Sequence, residues 1–268
     1  MEMMVVIGII AILMVLVAPA FTNLKTAGDV TSAAYTIKGV LEQARTYAMA
    51  NNTYTWVGFY EENVANPASP NSDTPKVGRV VMSIVASKDG TIIYDPNATG
   101  TNNLIDPTKL TQVTKLAKVD NLHLPLFAAG TGTGESFDKR PILQFDPFGV
   151  GYNASRFGEL NAPAPNTAPY DTTNSGNTKF PFQYPVGTPA PTAQYTFRKT
   201  LQFSPTGECR INSTYDVRTV IEIGLLQTHG TATPVPSSGA GTSTVTFSGN
   251  VAAIQVTGVG GDVKIYRR

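Results

Sequence analysis

Few side chains in this sequence have the type and spacing to do chemistry. The two histidines, His123 and His229, lie far apart in loop-like contexts, and neither sits in a cluster of Cys, His or carboxylate with metal-ligand spacing. Both read as surface or packing residues. Residues 130–136, Gly-Thr-Gly-Thr-Gly-Glu-Ser, have the glycine density of a phosphate-cradling loop. They lack the Lys-Ser/Thr pair and the strand–loop–helix frame that such a loop needs, so they read as a turn. The one cysteine, Cys209, has no evident histidine to activate it and no second cysteine to pair with in the chain. It reads as a buried thiol. No Gly-x-Ser-x-Gly elbow occurs. Asp95 with Asn97, and Asp171 with Asn174, offer oxygen ligands to calcium but not the Gly and distal Glu of an EF-hand loop. Asn51, Asn97, Asn153 and Asn212 stand in Asn-x-Ser/Thr sequons. The expectation is a protein that is not an enzyme, with no catalytic residue, no metal and no cofactor.

One carboxylate has an unusual setting. Glu2 sits at the edge of residues 3–21, which are 19 residues without a charge. As a helix this run spans about 28 Å, close to the hydrocarbon thickness of a bilayer. An ionisable group at the margin of lipid is costly and usually has an assigned partner. A secretory signal peptide cleaved near Ala18-Pro19-Ala20, a plain membrane anchor, and a helix that leaves the membrane to pack against copies of itself are the competing readings. Against the signal peptide, Glu2 stands where a basic residue is expected, and the apolar run is long for such a segment.

The elements that follow set the frame. Leu24, Ala27, Val30, Ala34, Ile37, Leu41, Ala44 and Ala48 recur at spacings of 3 and 4, with Lys25, Asp29, Lys38, Glu42 and Arg45 off the stripe. Asn51-Asn52 fits a C-cap. The pattern predicts one helix over 3–50, apolar all round at first and amphipathic afterwards, with Pro19 kinking it near the junction. Strands are predicted at 54–60, 79–86, 91–94, 136–138, 141–145, 195–203, 217–226, 245–256 and 262–268, and a short helix opening at Asp106-Pro107. Residues 161–194 carry seven prolines and almost no charge. They read, with 228–244, as long surface loops. A net charge of +1 gives no sign of a nucleic-acid partner. The chain thus divides into a hydrophobic segment at 1–21, an amphipathic helix at 22–52 and a β-rich head at 53–268.

Residues 2–13, Glu-Met-Met-Val-Val-Ile-Gly-Ile-Ile-Ala-Ile-Leu, followed by Pro19, resemble the N-terminus of type IV pilins and type II secretion pseudopilins. The spacing of Glu2 and Pro19 matches that family's acid and proline. Leu201-Gln202-Phe203-Ser204-Pro205-Thr206-Gly207-Glu208 resembles a strand and turn of the minor pseudopilin H and fimbrial T families. Residues 261–267 resemble their closing strand, and residues 41–48 their helix. The resemblance implies an α+β, pilin-like fold, in which one long N-terminal helix packs on an antiparallel β head with Pro/Thr/Gly-rich loops. It implies a structural subunit held first in the bacterial inner membrane and then polymerised into an extracellular or periplasmic filament. In that role Glu2 pairs with the N-terminal amine of a neighbour, and Gly8 and Pro19 loosen or kink the helix. Val5, Val6, Ile9, Ile10, Leu13 and Leu16 then pack in the filament core. The partners implied are copies of the chain, the membrane, a prepilin peptidase and the assembly machinery. The family register puts the mature N-terminus a few residues ahead of Met1. A minor tip or priming subunit, and an anchored binding domain that never polymerises, are the alternatives.

Overall fold

The computed structural model describes residues 30–64, 78–93, 104–125, 127–144, 155–156, 180–211, 216–228, 230 and 250–268. The first described element is helix α1 over 30–50. Its buried stripe is the one its periodicity predicts: Val30, Ala34, Ile37, Leu41, Ala44 and Ala48 are all buried, joined by Ala33. The helix stops at the asparagines. Asn52 takes a left-handed backbone, φ 47°, which its short polar side chain tolerates. That turn lets the Thr53 amide donate to the Ala48 carbonyl at 3.0 Å, satisfying one of the helix's last acceptors.

The strands are β1 (Thr55–Glu62), β2 (Gly78–Ser87), β3 (Leu110–Gln112), β4 (Ala117–His123), β5 (Phe182–Tyr184), β6 (Tyr195–Phe197), β7 (Lys199–Phe203), β8 (Cys209–Ile211), β9 (Val220–Gln227), β10 (Val251–Thr257) and β11 (Val263–Arg267). Among the described residues nine of them form one antiparallel sheet in the order β11-β10-β9-β4-β2-β1-β7-β8, with β3 beside β2. The hairpin of β5 and β6 stands apart as a second, two-stranded sheet.

The pleat sends alternate residues to opposite faces. Val57 and Phe59 of β1, Val80, Met82 and Ile84 of β2, Leu201 and Phe203 of β7, and Ile221, Ile223 and Leu225 of β9 form one core with the stripe of α1. Full burial of each large aliphatic side chain there contributes about 1.5–3 kcal/mol. The Thr55 hydroxyl fastens the helix by donating to the Ala44 carbonyl at 3.1 Å. The second face is covered too. The β5–β6 hairpin brings Phe180, Phe182, Tyr195 and Phe197 onto Trp56, Tyr60, Val81 and Val85. It lies so close that a Cβ on Gly58 would sit 2.5 Å from that of Phe197. Farther along, Phe127 and Phe137 pack on Leu226, Val251 and Ala253.

This architecture corrects the expected one. The pilin-like α+β arrangement, a long helix on an antiparallel head, gives way to a mainly antiparallel β fold. Its described helix covers only 30–50 and lies on a broad sheet as a single element. The sheet is wide because segments without a strong strand pattern supply β3, β4 and β8. Residues 182–184, within the predicted loop at 161–194, are β5, and the predicted strand at 195–203 breaks at Arg198 into β6 and β7, which join different sheets. Residues 137–139 form a 3-10 turn, and 91–93 and 141–144 are not strands. Asp106 caps as predicted, its carboxylate accepting from the Thr108 amide at 2.9 Å, but the helix it opens is a 3-10 turn at Pro107–Lys109.

Candidate functional site

Glu2, Val5, Val6, Gly8, Ile9, Ile10, Leu13, Leu16 and Pro19 all lie outside the described residues, as do His229, the Asp95/Asn97 and Asp171/Asn174 pairs, and the loop segments 161–179 and 231–244. Among the described residues no helix is long and apolar enough to cross a membrane, and no cluster of His, Cys, Asp and Glu could hold a metal ion.

The titratable side chains that the structure brings together are paired inward. Glu61 is buried on the helix side of β1. Its carboxylate takes the Lys199 ammonium at 3.0 Å, His123 Nδ1 at 2.7 Å and the Leu124 amide at 2.9 Å. Burial alone would raise its pKa, but the charges of Lys199 and His123 and the hydrogen bonds from His123 and Leu124 outweigh that and hold it at about 2. His123 is therefore a partner of a buried carboxylate. Nothing local in the sequence could have announced this, because Glu61 is 62 positions away. On the second face Glu62 accepts from the Tyr195 hydroxyl at 3.1 Å and pairs with Arg79 at 3.3 Å and Lys118 at 3.4 Å. Arg79 also pairs with Asp120. Farther along that face, Arg140 forms a two-pronged pair with Glu222, Nε to Oε2 at 2.6 Å and Nη2 to Oε1 at 3.0 Å. It also donates to the Phe137 carbonyl at 2.7 Å. These clusters tie strands and loops together; each carboxylate is occupied by cations rather than poised for proton transfer. Cys209 is buried on the helix side, and burial pushes its thiol pKa up, so it stays protonated and inert.

The three segments that carry the C-terminal resemblance meet in space. Arg45 of α1 pairs with Asp262 in the β10–β11 turn at 3.4 Å. A Cβ on Gly261 in that turn would fall 2.4 Å from the Gly207 carbonyl of the β7–β8 turn, and Gly261 has φ 68°, so glycine is needed twice over. The Cys209 amide donates to the Gly258 carbonyl at 2.6 Å, which brings the two ends of the sheet together. Sequence reasoning proposed these segments one by one; the fold gathers them at the pole where α1 ends. The β2 end joins them there, since a Cβ on Gly90 would lie 3.1 Å from the Asn52 carbonyl.

Comparison of this chain with protein-family models, with curated proteins and with solved structures finds no match.

Proposed function

We propose that this chain is a structural subunit that polymerises through its N-terminal segment into a filament at a bacterial cell envelope. The observation that carries the reading is the uncharged run at 3–21, preceded by Glu2 and containing Pro19, which leads in sequence to the amphipathic α1. Such a subunit is held in the inner membrane by the apolar run until assembly replaces lipid contact with contact between helices. Glu2 sets the register, because an unpaired carboxylate in an apolar core is strongly unfavourable. The buried, self-satisfied ion clusters of the head fit a structural role better than a catalytic one. A second reading has one observation in its favour: the broad sheet, with its single helix over 30–50, departs from the expected architecture. In that reading residues 3–21 only anchor a surface domain.

The test is mass spectrometry of filaments sheared from cells that make the chain, with Glu2→Ala beside it. Abundance in the sheared fraction, lost in Glu2→Ala, supports a major subunit. Trace amounts there support a minor one. Absence from the fraction, with the chain abundant in membranes, overturns the filament and leaves the anchored domain.

A further inference from the structure

On the second face of the sheet, one row sets three hydrogen-bond donors side by side without acceptors. Trp56 of β1 is the register partner of Gln202 of β7, and Gln202 is the register partner of Arg210 of β8. Leu201 and Phe203, which flank Gln202, and Cys209 and Ile211, which flank Arg210, belong to the core under α1. The pleat therefore sends Gln202 and Arg210 to the face that holds Trp56. Trp56 is fully buried and Gln202 is 1 % exposed. Trp56 Nε1, Gln202 Nε2 and Arg210 Nε are all buried and have no hydrogen-bond partner. The polar groups on either side of this row are satisfied. The Thr200 hydroxyl donates to the Phe180 carbonyl at 3.3 Å. Ser204 Oγ accepts from the Glu208 amide at 3.1 Å and bonds the Thr206 hydroxyl at 2.8 Å. Val85, the partner of Trp56 on β2, ends the polar row with an apolar side chain.

The chemistry of the row selects its ligand. All three groups are N–H donors, so the ligand is an acceptor, and a charged acceptor bonds such donors more strongly than a neutral one. Arg210 is the one cation in the row, and its Nη2 already donates to Glu208 at 3.3 Å. One shared cation does not compensate a buried dianion such as phosphate. A carboxylate carries one charge and about four lone-pair sites, enough for three donors. Glu208, the carboxylate nearest the row, is about a third exposed, so water screens its repulsion. Burial sets the size. Arg210 is 28 % exposed on β8, where the sheet ends, while Trp56 and Gln202 are sealed, so only a compact group reaches them from that side.

We infer that the row of Trp56, Gln202 and Arg210 binds a small carboxylate, about the size of acetate, that enters at β8 and accepts from all three side chains. The inference stands apart from the filament reading.

The test is a titration of the full chain in nonionic detergent with sodium acetate, at constant ionic strength held by sodium sulfate. The emission of Trp56, the only tryptophan in the sequence, is the signal. Chloride and the bulky carboxylate pivalate are run beside acetate. Gln202→Leu and Arg267→Met, an exposed cation on the far edge strand β11, are run beside wild type. The expected result is a saturable change with acetate in wild type and Arg267→Met, and no change with pivalate. In Gln202→Leu the affinity should fall about tenfold or more, as loss of a hydrogen bond to a charged acceptor implies. No saturation with acetate overturns the site and leaves the donors to buried water. Saturation by chloride or pivalate equal to that by acetate overturns the small carboxylate as ligand. Wild-type affinity in Gln202→Leu overturns the assignment to this row. Should Gln202→Leu not fold, Arg210→Lys decides, because it keeps the charge and removes the Nε donor. Weakened acetate binding there supports the site, and wild-type binding overturns it.

Discussion

Glu61 and Glu62 are consecutive on β1 and point to opposite faces of the sheet, and each is ringed by cations from strands far away in sequence. Glu61 holds Lys199 of β7 and His123 of β4; Glu62 holds Arg79 of β2 and Lys118 of β4. Two adjacent carboxylates thus clamp the neighbouring strands β4, β2, β1 and β7 from both sides of the sheet. Because they are buried, their charge is tolerated only while those partners stay in place.

Acid should loosen this clamp. Glu61 has its pKa lowered from 4.5 to about 2, so its folded-state charge contributes stability that is present above pH 4.5 and is lost as pH falls toward 2. The shift corresponds to on the order of 3 kcal/mol. Glu61→Gln should be less stable than wild type at pH 7, and the gap should narrow between about pH 4.5 and pH 2. Urea unfolding at a series of pH values, followed by circular dichroism, measures that gap. A gap independent of pH would contradict the assignment.

Removing Arg140 strands Glu222. The pair is buried on both sides, and Gln255 adds a hydrogen bond to the same carboxylate at 2.9 Å. Arg140→Met should cost about 3–5 kcal/mol, because an uncompensated charge remains buried. Adding Glu222→Gln should recover a large part of the loss. Hydrogen exchange in 127–144 should rise in the single variant, since the guanidinium also holds the Phe137 and Ala128 carbonyls of that segment.

Gly58 is where the β5–β6 hairpin presses on β1. In Gly58→Ala the new Cβ would sit 2.5 Å from Phe197 Cβ and Cγ and 2.7 Å from Phe182 Cζ, so the hairpin has to move. Overpacking of this kind costs about 1–3 kcal/mol. Trp56, the only tryptophan in the sequence, lies in the core that the hairpin closes. Its fluorescence should shift to the red in Gly58→Ala and keep the wild-type maximum in Gly39→Ala, where a Cβ on the exposed side of α1 meets nothing within 4 Å.

The features legible from the residues alone are local. The stripe from Val30 to Ala48 is legible because a helix repeats every 3.6 residues and its buried face needs only neighbours three and four positions away. Its end at Asn51-Asn52 is legible because a left-handed residue is a property of the residue itself. The strong strands β1, β2, β9, β10 and β11 announce themselves through β-branched and aromatic runs. The weaker strands form through long-range contacts instead. β4, Ala117–His123, carries one lysine, one aspartate and a histidine, a pattern with no strand signal of its own until Glu61, Glu62 and Arg79 pair them. β5 is three residues flanked by prolines, and it becomes a strand because β6 and the bare backbone of Gly58 lie within reach. For β4 the partners, and for β5 the Gly58 backbone, lie tens of positions away, so no local window holds the signal. The same holds for the pole where α1 ends: Arg45, Gly207 and Gly261 are ordinary residues in sequence, and only folding brings them into contact.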